Sequence, residues 1–337
     1  MKKIPGILTS LFYFLTFFLI SSSTSAADDW VMPRTADGKP DLQGIWSNAT
    51  QTPLERPAEF GTTGFLTLDQ KEAQEAGWRQ VIENRAQPSD PNRDAPDEGR
   101  DVGGYNNFWI DKGTDVIEIN GEYRTSIIVD PDDGQIPYAE NWRGKNFTAQ
   151  LQAMPGVEPY DGPELRPLGE RCLLAFGSSS GPPMMPVMYN NNYQIVQTSE
   201  YVMILVEMVH DVRIIPIDDE HKTGSYAKWM GDSVGHWEGD TLVVESVDLH
   251  PYQSRWGFTK NAKVTERFDL LSENKIRYSY TMDDPAVYRR PWTGELAMNR
   301  RPEGDRMYEY ACHEGNYAFP GILGGARRLE AEQASKN

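Results

Sequence analysis

Apolar and polar residues alternate along a series of short segments that fills the chain from Tyr193 almost to its end. Tight turns, such as Glu238-Gly239-Asp240, separate these segments. Short alternating runs joined by tight turns are typical of antiparallel strands that bury one face. Because unpaired strand edges promote aggregation, so many strands must stack as two sheets or close on themselves. The pattern therefore predicts a mainly β fold, an antiparallel meander that closes as a barrel, with a β-sandwich as the alternative.

Two elements precede this meander. The segment DLQGIWSN, 41–48, predicts an early strand, and an early GIW strand followed much later by a continuous meander is the layout of calycin, or lipocalin-like, barrels. Thr67 and Gln70 have the spacing of a capping box, which predicts one N-terminal helix. The Pro- and Gly-rich stretch 141–192 predicts long loops that cover a site.

The first residues have the three parts of a secretory signal peptide. Lys2 and Lys3 precede an apolar run over 7–20, and small residues lead to Ala26. The run is shorter than the ~20 residues that span a bilayer, so we predict export to the periplasm or medium and no membrane span after cleavage. The predicted divisions are a signal peptide (1–26), an irregular and helical segment (27–110), an antiparallel β domain (111–325) and a tail (326–337).

Charge and cysteine content narrow the choice of partners. The chain has 337 residues and a net charge of −17. Nucleic acids attract basic surfaces, so this acidic chain is not predicted to bind them. Its two cysteines, Cys172 and Cys312, are expected in an oxidising compartment. One disulfide between them is the simplest prediction, with two buried free thiols as the alternative.

Three long motifs carry a resemblance to a known group of proteins. They are PRTADGKPDLQGIW (33–46), MGDSVGHWEGDTLVVES (230–246) and YEYACHEGNY (308–317). Together they resemble a broad group of exported bacterial proteins that share a DGxPDLxGxW opening and a WxGDTLVV strand pair. The resemblance extends over nearly the whole mature chain. It implies export and one shared architecture, and it implies no particular reaction.

The segment YVMILVEMVHD, 201–211, offers the first candidate acid–base groups. Both faces of a strand here are apolar, so Glu207 and His210 are expected in apolar surroundings. Desolvation there raises the pKa of a carboxyl group and lowers that of an imidazole, which suits both to acid–base chemistry. The alternative is a structural ion pair of Glu207 with Arg213 or with another cation.

The segment MYEYACHE, 307–314, is predicted as the last strand. Alternation then places Cys312 and His313 on opposite faces, which argues against a Cys–His nucleophilic pair. We predict His313 and His210 as base or acid, with Tyr310 or Glu207 as partner. The predicted substrate-binding residues are Asn191, Trp292, Arg213 and Tyr317.

These residues lead to two functional hypotheses. The first is an exported acid–base enzyme, a lyase, isomerase or hydrolase, that acts on a small organic substrate in a largely apolar barrel pocket. It needs no cofactor, and no metal is predicted because the five histidines have no short ligand spacing. The alternative is a periplasmic carrier that binds a small molecule without chemistry. The sequence does not predict the oligomeric state.

Overall fold

The barrel that the alternation predicts is present. The structure, a computed structural model, describes residues 30–88, 110–140, 154–175, 179–222, 228–251 and 258–336, together with positions 92, 94, 142 and 224. The predicted signal peptide lies outside these residues. Nine strands form a nearly closed, barrel-shaped sheet, so the β-barrel is confirmed over the β-sandwich.

The strands lie mostly in the second half of the chain, where the alternating segments are. In chain order they are β1 (Gly44–Ser47), β2 (Phe65–Leu66), β3 (Glu118–Ile119), β4 (Glu122–Arg124), β5 (Ile128–Asp130), β6 (Asn192–Gln197), β7 (Tyr201–Val206), β8 (Val212–Pro216), β9 (Asp232–Glu238), β10 (Thr241–Val247), β11 (Lys263–Ser272), β12 (Lys275–Asp283) and β13 (Trp292–Arg300). The α-helices among the described residues are α1 (Leu68–Ala86), α2 (Cys312–Gly315) and α3 (Ala318–Ala334).

The barrel wall is a meander closed by the early strand. Its order is β8-β7-β6-β1-β13-β12-β11-β10-β9, so β1 lies between the first and last strands of the meander. Each neighbouring pair in this order is antiparallel. Strand β5 pairs with β13 beside β1, and β2, β4 and β3 form a separate small sheet. The predicted early GIW strand, β1, is therefore part of the barrel wall. The predicted domain boundary at residue 110 separates β1 from the strands with which it pairs.

Large side chains fill the interior of the barrel. Strand β12 alternates strictly, with every second residue buried and facing inward. The largest fully buried side chains include Trp46, Tyr193, Phe268, Tyr278 and Tyr280. Aromatic rings of this size fill the inside of a small barrel. The described interior is therefore a packed core, which differs from the open barrel pocket that the first functional hypothesis places there.

The helices at the two ends of the chain differ in how well the sequence predicted them. Thr67 caps α1, and both bonds of its capping box with Gln70 are present, as predicted. Helix α3 was not predicted, and the predicted boundary at residue 325 falls inside it. Among the described residues, none of the helices has the length and apolar character that crossing a membrane requires.

Candidate functional site

The predicted strand at 201–211 ends earlier than its apolar pattern suggests. Strand β7 stops at Val206, and a short 3-10 turn follows, in which Val209 and His210 have positive φ angles of 60° and 45°. The turn reverses the chain into β8, so strand alternation does not apply to the two predicted groups. The prediction that both lie in apolar surroundings is wrong for His210, which is exposed.

Glu207 is buried, and its carboxylate already has partners. Its Oε2 accepts a hydrogen bond from the Asn192 amide at 2.6 Å, and its Oε1 accepts one from the backbone N–H of Tyr308 at 3.1 Å. The carboxylate thus joins the start of β6 to the C-terminal segment. The alternative prediction, an ion pair of Glu207 with Arg213, is wrong because Arg213 pairs with Glu266 instead.

The predicted last strand is also wrong. Residues 305–311 have no regular secondary structure, and Cys312–Gly315 forms one helical turn. Both edges of β13 are already occupied, by β12 on one side and by β1 and β5 on the other, so the following segment has no edge to join. Side-chain contacts hold it instead, and the predicted disulfide Cys172–Cys312 is confirmed.

Within this segment His313 and Tyr317 are exposed, whereas Tyr310 is partly buried. The ring of Tyr310 stacks on that of Tyr189, with 3.4 Å between the two hydroxyl oxygens. Burial raises the pKa of Tyr310. No hydrogen bond or ion pair among the described residues joins the side chains of two of the four predicted catalytic residues. The structure therefore does not assemble them into one acid–base group.

Two of the predicted substrate-binding residues have structural roles. The side chain of Asn191 bonds the backbone of Val187 through both its oxygen and its nitrogen, and it also donates to the carbonyl of Asp111. Trp292 is fully buried and packs edge-on against Tyr280. Neither lines a described cleft.

Arg213 belongs to a buried polar network inside the barrel. Its guanidinium makes a two-point ion pair with Glu266, with Nη1 at 2.9 Å from Oε1. The hydroxyl of Tyr278 donates to the same carboxylate at 2.7 Å and accepts from the backbone of Met184. Burial opposes the charge on Arg213, but the attraction of Glu266 outweighs it and the pKa of Arg213 is raised. Burial and the Glu266 charge raise the pKa of Tyr278. The guanidinium of Arg213 and the hydroxyl of Tyr278 therefore both stay protonated at neutral pH.

One wall junction, between β8 and β9, lacks a ladder of paired residues. We call this junction the seam. A single parallel bridge, between Ile217 and Gly235, closes it at one end. A Cβ atom on Gly235 would lie 2.8 Å from Cδ1 of Ile217, so glycine allows the two strands to approach here. Away from this bridge the seam is open.

The open part of the seam is a cleft of about 440 Å³. We call it the seam cleft. Arg213 and Ser233 line it, together with apolar and cationic side chains of Tyr201, Ile214, Pro216, Lys222, Lys228 and Trp229. The Nη2 of Arg213 lies 3.5 Å from the hydroxyl of Ser233, which bonds Ser246 at 2.7 Å. The buried Nε–H of Arg213 has no hydrogen-bond partner within the part of the chain that the structure describes. A buried donor without a partner is costly, so a ligand that accepts from it gains affinity.

Asp232 anchors the rim of the seam cleft. Its carboxylate accepts from Lys228 at 2.6 Å, from the backbone of Lys222 at 2.9 Å, and lies 3.1 Å from Nδ1 of His221. Burial opposes its charge, but the bonds from Lys228, Lys222 and His221 outweigh this effect, and the pKa of Asp232 is lowered. The ionised carboxylate therefore ties two loop segments to the start of β9.

The sequence pointed to Arg213 but missed Glu266. Along β11 the inward positions are Val264, Glu266, Phe268 and Leu270, so one charged residue occupies an otherwise apolar face. That break in the alternation is a signal of a buried ion pair, because an isolated charge is rarely buried. The seam itself has no local signal, because it depends on which strands close the barrel.

Comparisons with known proteins do not assign this chain to a family. No protein-family model matches it, and neither a curated protein nor a solved structure does. Among the described residues, no group of three or more His, Cys, Asp or Glu side chains is arranged to hold a metal ion.

Proposed function

We propose that the protein binds a small organic anion with an apolar portion in the seam cleft. This is the carrier hypothesis, with the site moved from the barrel interior to its wall. The observation that supports it most is the buried Arg213, whose Nε–H has no described partner and whose side chain lines the cleft.

The cationic side chains of the lining support an anionic ligand. Three cationic side chains line the cleft, those of Arg213, Lys222 and Lys228, against two carboxylates, Glu220 and Asp232. Glu266 pairs with Arg213 and Asp219 with Lys222, so the lining offers an anion several cationic hydrogen-bond donors rather than a net positive charge. A carboxylate is a suitable acceptor for arginine, lysine and hydroxyl donors together.

The apolar lining supports a ligand that also has a hydrocarbon or aromatic part. Ile214 is 63% exposed and Tyr201 46% exposed, although both lie on strands. Pockets for small molecules combine such apolar walls with a few polar groups that set orientation. The cleft volume is within the range of about 300–1,000 Å³ that ligand sites have.

Matched pairs of acids and amides test this proposal. Benzoate and hexanoate, with benzamide and hexanamide as neutral controls, are titrated calorimetrically into the mature protein. We expect the acids to bind about ten-fold more tightly, since a charge-assisted hydrogen bond contributes about 1.5–3 kcal/mol. Equal affinity for acids and amides would contradict the proposal.

A double variant tests the role of Arg213. Arg213→Gln with Glu266→Gln removes both charges and leaves no lone charge in the core. We expect it to lose the preference for acids. The control is Arg124→Gln with Glu295→Gln, which removes an ion pair outside the cleft lining. The control should keep the preference.

An acid–base reaction at the rim of the same cleft, where His221 contacts the lining residue Asp232, is the second candidate. The contact between Asp232 and Nδ1 of His221 favours it, because a carboxylate there holds the imidazole so that Nε2 is available as a base. Hydrolysis of p-nitrophenyl esters is a direct assay. His221→Ala should lower the rate about 10²–10⁴-fold, whereas His210→Ala and His313→Ala should not. Equal rates for all variants would exclude this role for His221.

We also propose that the protein acts in the periplasm or outside the cell. The disulfide Cys172–Cys312 supports this location, because such bonds persist in oxidising compartments. Fractionation of cells that express the full chain, followed by N-terminal sequencing, tests it. Cytoplasmic, uncleaved protein would contradict it.

A further inference from the structure

The number of wall strands explains why the seam exists. In a closed ring, antiparallel neighbours alternate in direction, so only an even number of strands can be antiparallel throughout. The wall has nine strands, and its two end strands, β8 and β9, must therefore run parallel. The parallel bridge between Ile217 and Gly235 confirms this direction. One further strand between them, antiparallel to both, would complete a wholly antiparallel barrel.

The edge of β8 that faces the seam has unpaired backbone groups. Val206 donates to Asp211 at one end of the β7–β8 pair, and Ile217 donates to Glu200 at the other. Hydrogen-bonded pairs alternate along antiparallel strands, so the residues that bond β7 between these ends are Arg213 and Ile215. The N–H and C=O groups of Val212 and Ile214 consequently point into the seam. Within the described part of the chain, none of them has a hydrogen-bond partner.

The edge of β9 presents backbone groups to the same space. The carbonyl of Gly235 accepts from the N–H of Asp218 across the closed end of the seam, at 2.8 Å. Ser233 lies two residues earlier, so its backbone groups face the same side. They too have no backbone partner among the described residues. Two open strand edges thus face each other across the seam cleft.

We propose that the seam cleft accepts an extended peptide as an added strand, antiparallel to both β8 and β9. Pairing with a free strand edge is a general mode of peptide recognition. The inference rests on the proposed function, because it uses the same cleft and makes Arg213 the partner of a carboxylate. Strand β8 has five residues, so the matching peptide segment is about five residues long.

The faces of β8 define the side chains of this peptide. Residues directly opposite each other on paired strands share a face. Arg213 faces inward, so the peptide residue opposite it is acidic and reaches Arg213 and Ser233. Val212 and Ile214 face outward and are 40% and 63% exposed. The two peptide residues opposite them are apolar. The ligand class is therefore a peptide with an apolar–acidic–apolar core in extended conformation.

Backbone methylation of a peptide probe tests the pairing without altering the protein. The probe is the blocked pentapeptide Thr-Val-Glu-Val-Thr, titrated calorimetrically. Its two valine N–H groups would bond β8, so N-methylation of both valines should weaken binding at least about ten-fold. The C-terminal threonine lies opposite Asp211, where the register of the Ile217–Gly235 bridge places no residue of β9 beside it. Its N–H also points away from β8, so N-methylation there is the matched control and should have little effect. Glutamine in place of glutamate should also weaken binding, by about ten-fold.

Hydrogen exchange provides the readout on the protein. On peptide binding the amides of Val212, Ile214 and Ser233 should exchange at least about ten-fold more slowly.

Equal binding of the valine-methylated and unmethylated probes would overturn the inference. Binding of benzoate but not of the peptide would also overturn it and would leave the proposed function intact. If neither benzoate nor the peptide bound, the proposed function and the peptide inference would both be contradicted. A dimer in sedimentation, with the same amides protected before any peptide is added, would show that a second copy occupies the edge and would overturn the peptide proposal.

Discussion

The closed wall of the barrel and its seam differ in how completely the backbone groups of their strands are hydrogen-bonded. Strands β10 to β13 each pair with a neighbour on both sides, and their inward side chains are buried. At the seam, β8 and β9 meet in one bridge beside Gly235, and side chains of β8 remain exposed. The wall is thus a finished structure whose residues stabilise the fold. The seam keeps free donors, acceptors and apolar surface, which are the properties a binding site needs.

Removing a large side chain from the wall should have the largest effect. Phe268 is fully buried and packs against the ring of Tyr278, whereas Ile214 is exposed at the seam. We expect Phe268→Ala to lower the free energy of unfolding by about 3–5 kcal/mol. Ile214→Ala should change it by less than about 0.5 kcal/mol. Urea unfolding followed by circular dichroism measures the free energy of unfolding of both variants. Similar decreases for the two variants would contradict the difference between wall and seam.

Removal of the disulfide should have the next largest effect. The bond between Cys172 and Cys312 spans 140 residues of sequence. We expect Cys172→Ser with Cys312→Ser to cost about 2–4 kcal/mol, because the unfolded chain gains freedom. Ligand binding at the seam should persist, since neither cysteine lines the cleft. Loss of binding in a folded double variant would show that the C-terminal segment contributes to the site.

Two glycine substitutions compare the regions directly. Gly294 lies in the wall, where an added Cβ would overlap the buried ring and hydroxyl of Tyr280. Gly294→Ala should cost about 1–3 kcal/mol by overpacking. At the seam, an added Cβ on Gly235 would meet side chains alone, with Cδ1 of Ile217 at 2.8 Å, Cγ2 of Ile215 at 3.1 Å and Cδ1 of Leu242 at 3.5 Å as its nearest neighbours. Gly235→Ala should cost less than about 1 kcal/mol. The reverse order in thermal unfolding would contradict a looser seam.

The smallest effect concerns the rim of the cleft. The pKa of Asp232 is lowered in the folded protein, so its contribution to stability is present above the ordinary aspartate pKa of about 3.9. It is lost as pH falls further, through the lowered value. Asp232→Asn should therefore cost up to about 1 kcal/mol at pH 7, and progressively less as pH falls below about 3.9. A constant difference across this range of pH would contradict the ion-pair role.

The sequence predicted the wall well because alternation is a local property. Strand β12 and the capped helix α1 follow directly from their residue patterns. The site was harder because it depends on distant residues. His313 was placed on a strand by alternation, but β13 has no free edge for that strand. The seam arises because the wall has an odd number of strands. The number of strands in the wall cannot be inferred from the residue pattern of any one segment.

The central claim is that the seam cleft, rather than the histidine-bearing loops, binds the ligand. Amide chemical shifts recorded by nuclear magnetic resonance during a titration with benzoate test this most directly. We predict that the amides that shift belong to residues 212–215 and to Ser233. Shifts confined to the segments around His210 and His313 would contradict the account.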